Sequence, residues 1–172
     1  MSGVRVIEEK YLPKRTREEK LFIFGEGEWI DEEDFHQFVH NGVECRVLRN
    51  TLGSLCGYVS LANGHPWRSI DIFEDSQDEI DVHGGLTFSE AFDDGEHWIG
   101  FDCSHARDIT PSCEITLKQV RADMRTKFPD LCKRGDQILS GNFMGATYKN
   151  MNYVIEECKS LADQAIKAAH VK

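Results

Sequence analysis

Val43-Glu44-Cys45-Arg46-Val47-Leu48-Arg49, then Asn50-Thr51-Leu52-Gly53-Ser54, then Leu55-Cys56-Gly57-Tyr58-Val59-Ser60-Leu61, is the stretch that decides the fold. Val43, Cys45 and Val47 alternate with Glu44, Arg46 and Leu48, the period of a half-buried strand. The turn-forming segment Asn50 to Ser54 is long enough for a hairpin and too short for a parallel crossover. The nucleus is therefore antiparallel. The predicted class is α+β, a single domain with a mainly antiparallel sheet and helices packed on it.

Downstream, Asn63-Gly64-His65-Pro66-Trp67 reads as a turn carrying recognition-grade side chains. An acidic loop follows, with Asp71, Glu74, Asp75 and Asp78, and its spacing does not match an EF-hand. Two further strands are expected at about 79–89 and 97–103, joined through Asp93, Asp94, Gly95 and Glu96. Beyond Pro111, Leu117, Val120, Met124 and Phe128 stand at helical spacing and predict a helix over 117–128 stopped by Pro129. Residues 130–149 read as irregular. Met151, Val154, Ile155, Cys158, Leu161, Ala162, Ala165 and Ile166 form a stronger stripe, predicting a helix laid on the sheet.

Upstream, residues 1–20 are a charged lead-in interrupted by Pro13, and residues 21–172 form the domain. Leu21-Phe22-Ile23-Phe24 before Gly25 and Gly27 reads as a short strand and turn. Asp31-Glu32-Glu33-Asp34 reads as a helix start, with Phe35, Phe38 and Val39 inward and Asn41-Gly42 as the stop.

The 172 residues suffice for one real core. A formal charge of -10 argues against duplex nucleic acid as a partner. It leaves open a small phosphorylated ligand, which local cations and backbone N–H groups can hold against the global field. Cys45, Cys56, Cys103, Cys113, Cys132 and Cys158 show no zinc-knuckle or C-x-x-C spacing, so reduced thiols and a cytoplasmic location are expected. No apolar run reaches membrane-spanning length.

The chemistry concentrates between residues 79 and 108. If residues 79–89 are a strand, Asp81 and His83 share a face, and the Gly84 and Gly85 amides could approach an anion or simply form a bulge. Asp102 and His105 flank the end of the next strand, where a carboxylate could orient an imidazole or merely brace it. Arg107 suits a phosphate, Thr87 offers a hydroxyl, and Trp67 suits stacking on a nucleobase. His65, His83 and His105 could share a metal, but their wide spacing has no zinc signature, and no cofactor is indicated. His36, His40, His97 and His170 read as incidental. Cys103 or Ser104 beside His105 lacks a nucleophile-elbow pattern.

Leu55-Cys56-Gly57-Tyr58-Val59, Gly64-His65-Pro66, Asp81-Val82-His83-Gly84-Gly85-Leu86-Thr87-Phe88 and Gly100-Phe101-Asp102-Cys103-Ser104-His105-Ala106-Arg107-Asp108 together resemble a family of small, largely bacteriophage-encoded proteins with no established reaction. The resemblance runs from about residue 43 to the C-terminal helix. It implies a phage accessory protein in the bacterial cytoplasm, with counter-defence against a nucleotide signal as one job.

The leading expectation is a pocket of His65, Trp67, Asp81, His83, Gly84, Gly85, Thr87, Asp102, His105 and Arg107 that binds a small phosphorylated, nucleotide-like ligand. The alternative is hydrolysis of such a ligand, with His83, His105 and Asp102 catalytic. A third reading is an acidic adaptor for a host protein, which would need none of these clusters.

Overall fold

The structure, a computed structural model, describes residues 14–72, 79–91, 95–127, 129 and 145–170. Its centre is a five-stranded antiparallel sheet in the order β1-β2-β3-β5-β4. The strands are β1 (Phe35–His40), β2 (Val43–Arg49), β3 (Leu55–Leu61), β4 (Phe88–Ala91) and β5 (His97–Asp102). The expected β2–β3 hairpin is present, with Cys45 opposite Val59 and Arg49 opposite Leu55. Among the described residues three α-helices accompany the sheet: α1 (Arg17–Phe24), α2 (Pro111–Lys127) and α3 (Met151–His170). The α+β class stands.

The predicted C-terminal helix is α3, and it lies across β2 and β3. Its stripe buries Val154, Cys158, Leu161, Ala162 and Ala165 against Cys45, Val47, Val59 and Phe101 of the sheet. Gly57 permits this close approach, because a β-carbon there would sit 2.5 Å from the Phe101 ring and 2.6 Å from Cys158 Sγ.

Residues 21–24 end a helix rather than form a strand. Thr16 Oγ1 accepts from the Glu19 N–H at 3.2 Å while Glu19 Oε2 accepts from the Thr16 N–H at 2.7 Å, a reciprocal cap that starts α1 upstream of the apolar run. A division at residues 20 and 21 would cut this helix, and Lys20 is buried.

Residues 35–40 form β1, not a helix. Asn41 and Gly42, at φ 49° and 85°, make the tight turn into β2 that a two-residue hairpin requires. Two of the acids that looked like a helix start, Glu32 and Asp34, instead pair with the buried Arg49. Arg49 Nε donates to Asp34 Oδ1 at 2.8 Å and Nη2 to Glu32 Oε2 at 3.0 Å. Asp34 also pairs with Arg15 and Lys20, and Glu32 accepts from the Met151 N–H at the start of α3.

Residues 79–87 are not a strand, so β4 begins only at Phe88. Gly84 and Gly85 sit at φ 67° and 84°, outside strand geometry. Side chains of α3 take the backbone donors of the preceding segment: Gln164 Oε1 accepts from the Asp81 N–H at 2.9 Å, and Glu157 Oε2 from the His83 N–H at 3.0 Å. Asp81 and His83 therefore do not share a strand face.

A helix stands where one was predicted, but α2 begins at Pro111 rather than near Leu117, and Leu117, Val120 and Met124 are exposed. It docks on α1 through its opening residues, with Pro111 buried beside Gly53 and Ile115 against Gly25. Phe128, Cys132, Glu74, Asp75, Asp78, Asp93 and Asp94 lie outside the described residues. Among the described residues no helix is long and apolar enough to cross a membrane.

Candidate functional site

Three chain segments meet where the sheet ends at β5. Beyond Asp102 the chain leaves the sheet and folds into a turn in which the Asp108 N–H donates to the His105 carbonyl at 2.9 Å. A parallel bridge between Asp108 and Thr147 then fixes the approach to α3, with the Ile109 N–H on the Thr147 carbonyl at 3.0 Å. The loop at 81–85, tied to α3 by Gln164 and Glu157, brings in His83.

The centre of this meeting is the Asp108 carboxylate, whose side chain is only 1% exposed. His83 Nε2 lies 2.8 Å from Oδ2, the His105 backbone N–H donates to the same oxygen at 3.0 Å, and His105 Nδ1 is 3.5 Å from it. Lys149 Nζ is 3.9 Å from Oδ1. Burial by itself would raise the pKa of Asp108. The hydrogen bonds from His83 and the His105 backbone, with the charges of His83 and Lys149, outweigh it and hold the carboxyl below its usual range. Asp108 is therefore an anion at neutral pH and can only accept, so the proton between it and His83 sits on Nε2.

The other nitrogen of His83, Nδ1, is 3.0 Å from the Tyr153 hydroxyl. Burial, then the charges of Glu157, Cys103 and Asp108, push the Tyr153 phenol up, so it keeps its proton and can donate to that nitrogen. Tyr153, His83 and Asp108 thus form a connected relay. His83 and His105 stand edge to face with centroids 5.4 Å apart. Gly84 makes room for this, since a β-carbon on it would lie 2.1 Å from His105 Cε1. The ring of His105 is the accessible end of the cluster, 34% exposed against 15% for His83.

Compared with protein-family models, curated proteins and solved structures, the chain matches none. The site has to be read from its own chemistry.

Of the residues expected to share a pocket, His83 and His105 do come together, but the carboxylate between them is Asp108 and not Asp102. Asp102 Oδ1 accepts from the Ser104 N–H at 3.0 Å, closing the turn after β5. His65 is a brace: Nε2 donates to the Ala165 carbonyl at 2.8 Å and Nδ1 accepts from the Trp67 N–H at 3.0 Å. Both ring nitrogens are thereby occupied, which removes His65 from a three-histidine metal site. Trp67 packs against the core rather than standing free for stacking.

Asp81 and Thr87 are exposed; the Thr87 N–H donates to the Gly100 carbonyl at 2.9 Å and extends the β4–β5 pairing. The Gly85 N–H closes a turn onto the Val82 carbonyl at 3.0 Å, so it is not part of an anion cradle. The Arg107 side chain is exposed, and its carbonyl accepts from the Thr147 N–H at 3.0 Å.

His97, read as incidental, is buried on β5 beside Ser89 Oγ at 3.0 Å. Cys103 is buried, and desolvation together with the charges of Asp108, Cys56 and Asp102 pushes its thiol far up, which disqualifies it as a nucleophile.

Asp108, Lys149, Tyr153 and Glu157 were missed. Asp108 had a local signal, lying three residues beyond His105 where a turn brings the two together. The other three approach only because α3 docks on the sheet, and nothing in their own sequence announces it.

Proposed function

We propose that this protein hydrolyses a small phosphorylated, nucleotide-like molecule at the His83–Asp108–His105 cluster. The observation that carries the reading is the convergence of two imidazoles on one buried carboxylate, with an ammonium and a phenol at its margin. A site that only held an anion would not need a carboxylate at its centre. Water activation does, because a fixed anion raises the basicity of a neighbouring imidazole and orients it.

In the proposed step the water oxygen bonds to phosphorus while the cluster takes its proton. The phosphorus–oxygen bond to the leaving group breaks, and that oxygen departs with a proton. Lys149, 3.9 Å from Asp108 Oδ1, is a cation at the cluster that could meet phosphate charge, and Arg107 is exposed on the turn beside it. The nucleotide-like character and a counter-defence setting rest on the resemblance to phage proteins alone.

The test is to incubate the full chain with a panel of nucleotides, cyclic nucleotides and dinucleotides, with and without divalent metal, and follow product by mass spectrometry. Product formation that is lost in Asp108→Asn supports the reading. An unchanged panel, or turnover equal in Asp108→Asn, overturns it; a ligand retained intact would instead indicate sequestration.

A further inference from the structure

The geometry points to a divalent transition-metal site, of the class that zinc or cobalt fills, formed by His83 Nε2, His105 Nδ1 and Asp108 Oδ2. This inference rests on reading the cluster as the functional centre, but not on the identity of any substrate. One donor atom from each of His83, His105 and Asp108 can be chosen so that all lie within 4.8 Å of one another. Ligands about 2.1 Å from a tetrahedral ion stand roughly 3.4 Å apart, so modest side-chain adjustment closes the set.

Two observations favour an ion here over a purely organic cluster. His105 Nδ1 is buried and receives no hydrogen bond, although Asp108 Oδ2 lies 3.5 Å away. Buried polar nitrogens are ordinarily satisfied, and a cation accepting its lone pair would satisfy this one. The second observation concerns what surrounds the donors. Tyr153 Oη is 3.0 Å from His83 Nδ1, where the hydroxyl can accept a hydrogen bond from the N–H that this nitrogen must carry once Nε2 binds metal. Lys149 lies on the Oδ1 side, 3.9 Å away, while Oδ2, which also accepts the His105 backbone N–H, faces both imidazoles and would be the oxygen that meets the ion.

Two imidazoles and one carboxylate select a borderline ion such as Zn²⁺ or Co²⁺ over Mg²⁺ or Ca²⁺, which favour all-oxygen shells. Three protein ligands leave at least one position for water, the arrangement of a catalytic rather than a structural site. There the ion would lower the pKa of that water and supply the nucleophile for hydrolysis.

The test titrates EDTA-treated full-length protein with Co²⁺, reading visible absorbance and the ring resonances of His83 and His105 by NMR. One Co²⁺ per chain, displaced by Zn²⁺ but not by Mg²⁺, with both histidines shifted, is expected. Binding should weaken at least tenfold in His105→Gln and Asp108→Asn, and stay unchanged in His40→Gln, which alters a separate His–carboxylate pair with Asp163. Should the variants unfold, the wild-type resonances still decide. Co²⁺ that leaves the His83 and His105 rings unshifted overturns the site, as does equal binding in well-folded Asp108→Asn. Metal bound without turnover would sink the hydrolytic reading and keep this one. Turnover by protein that binds no metal would do the reverse.

Discussion

Gly84 lies against the face of the cluster so closely that a β-carbon on it would penetrate the His105 ring, 2.1 Å from Cε1 and 2.3 Å from Nε2. Gly84 is thus a steric condition for placing His105. Gly64 has a similar backbone, φ 78° against 67°, but nothing within 4 Å of its would-be β-carbon. Alanine at either position should cost about 1–2 kcal/mol for the left-handed backbone, a few degrees in melting temperature. Only Gly84→Ala should also lose ligand turnover or cobalt binding, by tenfold or more. Thermal melts and a binding titration on the two variants check this.

Removing the charge of Asp108 leaves His83 Nε2–H facing an amide and forfeits charge-assisted hydrogen bonds in a nearly solvent-free place. Asp108→Asn should destabilise by about 1–3 kcal/mol and reduce turnover at least a hundredfold. Asp102→Asn, which keeps an oxygen for the Ser104 N–H, should change turnover less than threefold. Kinetics on folded samples of both variants discriminate the two carboxylates.

Asp34 makes stability dependent on acid. Burial opposes its ionisation, but the Arg15 N–H, the Arg49 guanidinium and the charges of Lys20 and Arg49 more than compensate and lower its pKa. Since the folded value lies below the unfolded one, about 3.9, the contribution is fully present above that unfolded value and is lost as pH falls through the folded one. Asp34→Asn should lower stability at neutral pH, and its difference from wild type should shrink below pH about 4. Urea unfolding at a series of pH values measures it.

Among the described cysteines all are free, and only Cys113 is exposed. Burial pushes Cys45 up to about 12 and Cys56 to about 11, and Cys103 and Cys158 rise in the same direction. Iodoacetamide on the native protein should therefore label Cys113 ahead of these four by at least tenfold. Peptide mass mapping against labelling time provides the readout. Unfolding should make all of them reactive.

The amino-acid sequence by itself determined the elements whose own pattern is strong. The β2–β3 hairpin follows from alternation across a short connector, and α3 from an apolar stripe that repeats over its whole length. Local signals also existed for α1, in the Thr16 and Glu19 cap, and for the β1–β2 turn, in Asn41-Gly42. Those elements were misread because short apolar or acidic runs admit both helix and strand, and the choice falls to whatever partner the run meets.

Tertiary structure decided the rest. Residues 79–87 alternate like a strand, but Gly84 and Gly85 adopt positive φ and α3 captures the neighbouring backbone, so the segment becomes the loop that carries His83. His65 looked as functional as His83, and only the nearness of the Ala165 carbonyl makes it a brace. Asp102 and Asp108 stand on either side of His105, and the sequence does not rank them. The turn at 105–108 and the bridge to Thr147 bury Asp108 between the imidazoles, while Asp102 closes its own turn. Sequence spacing could name the histidines, because their residue types carry chemistry, and could hint at Asp108 three residues beyond His105; that His83 shares this carboxylate depended on a contact across 25 residues, which local pattern does not encode.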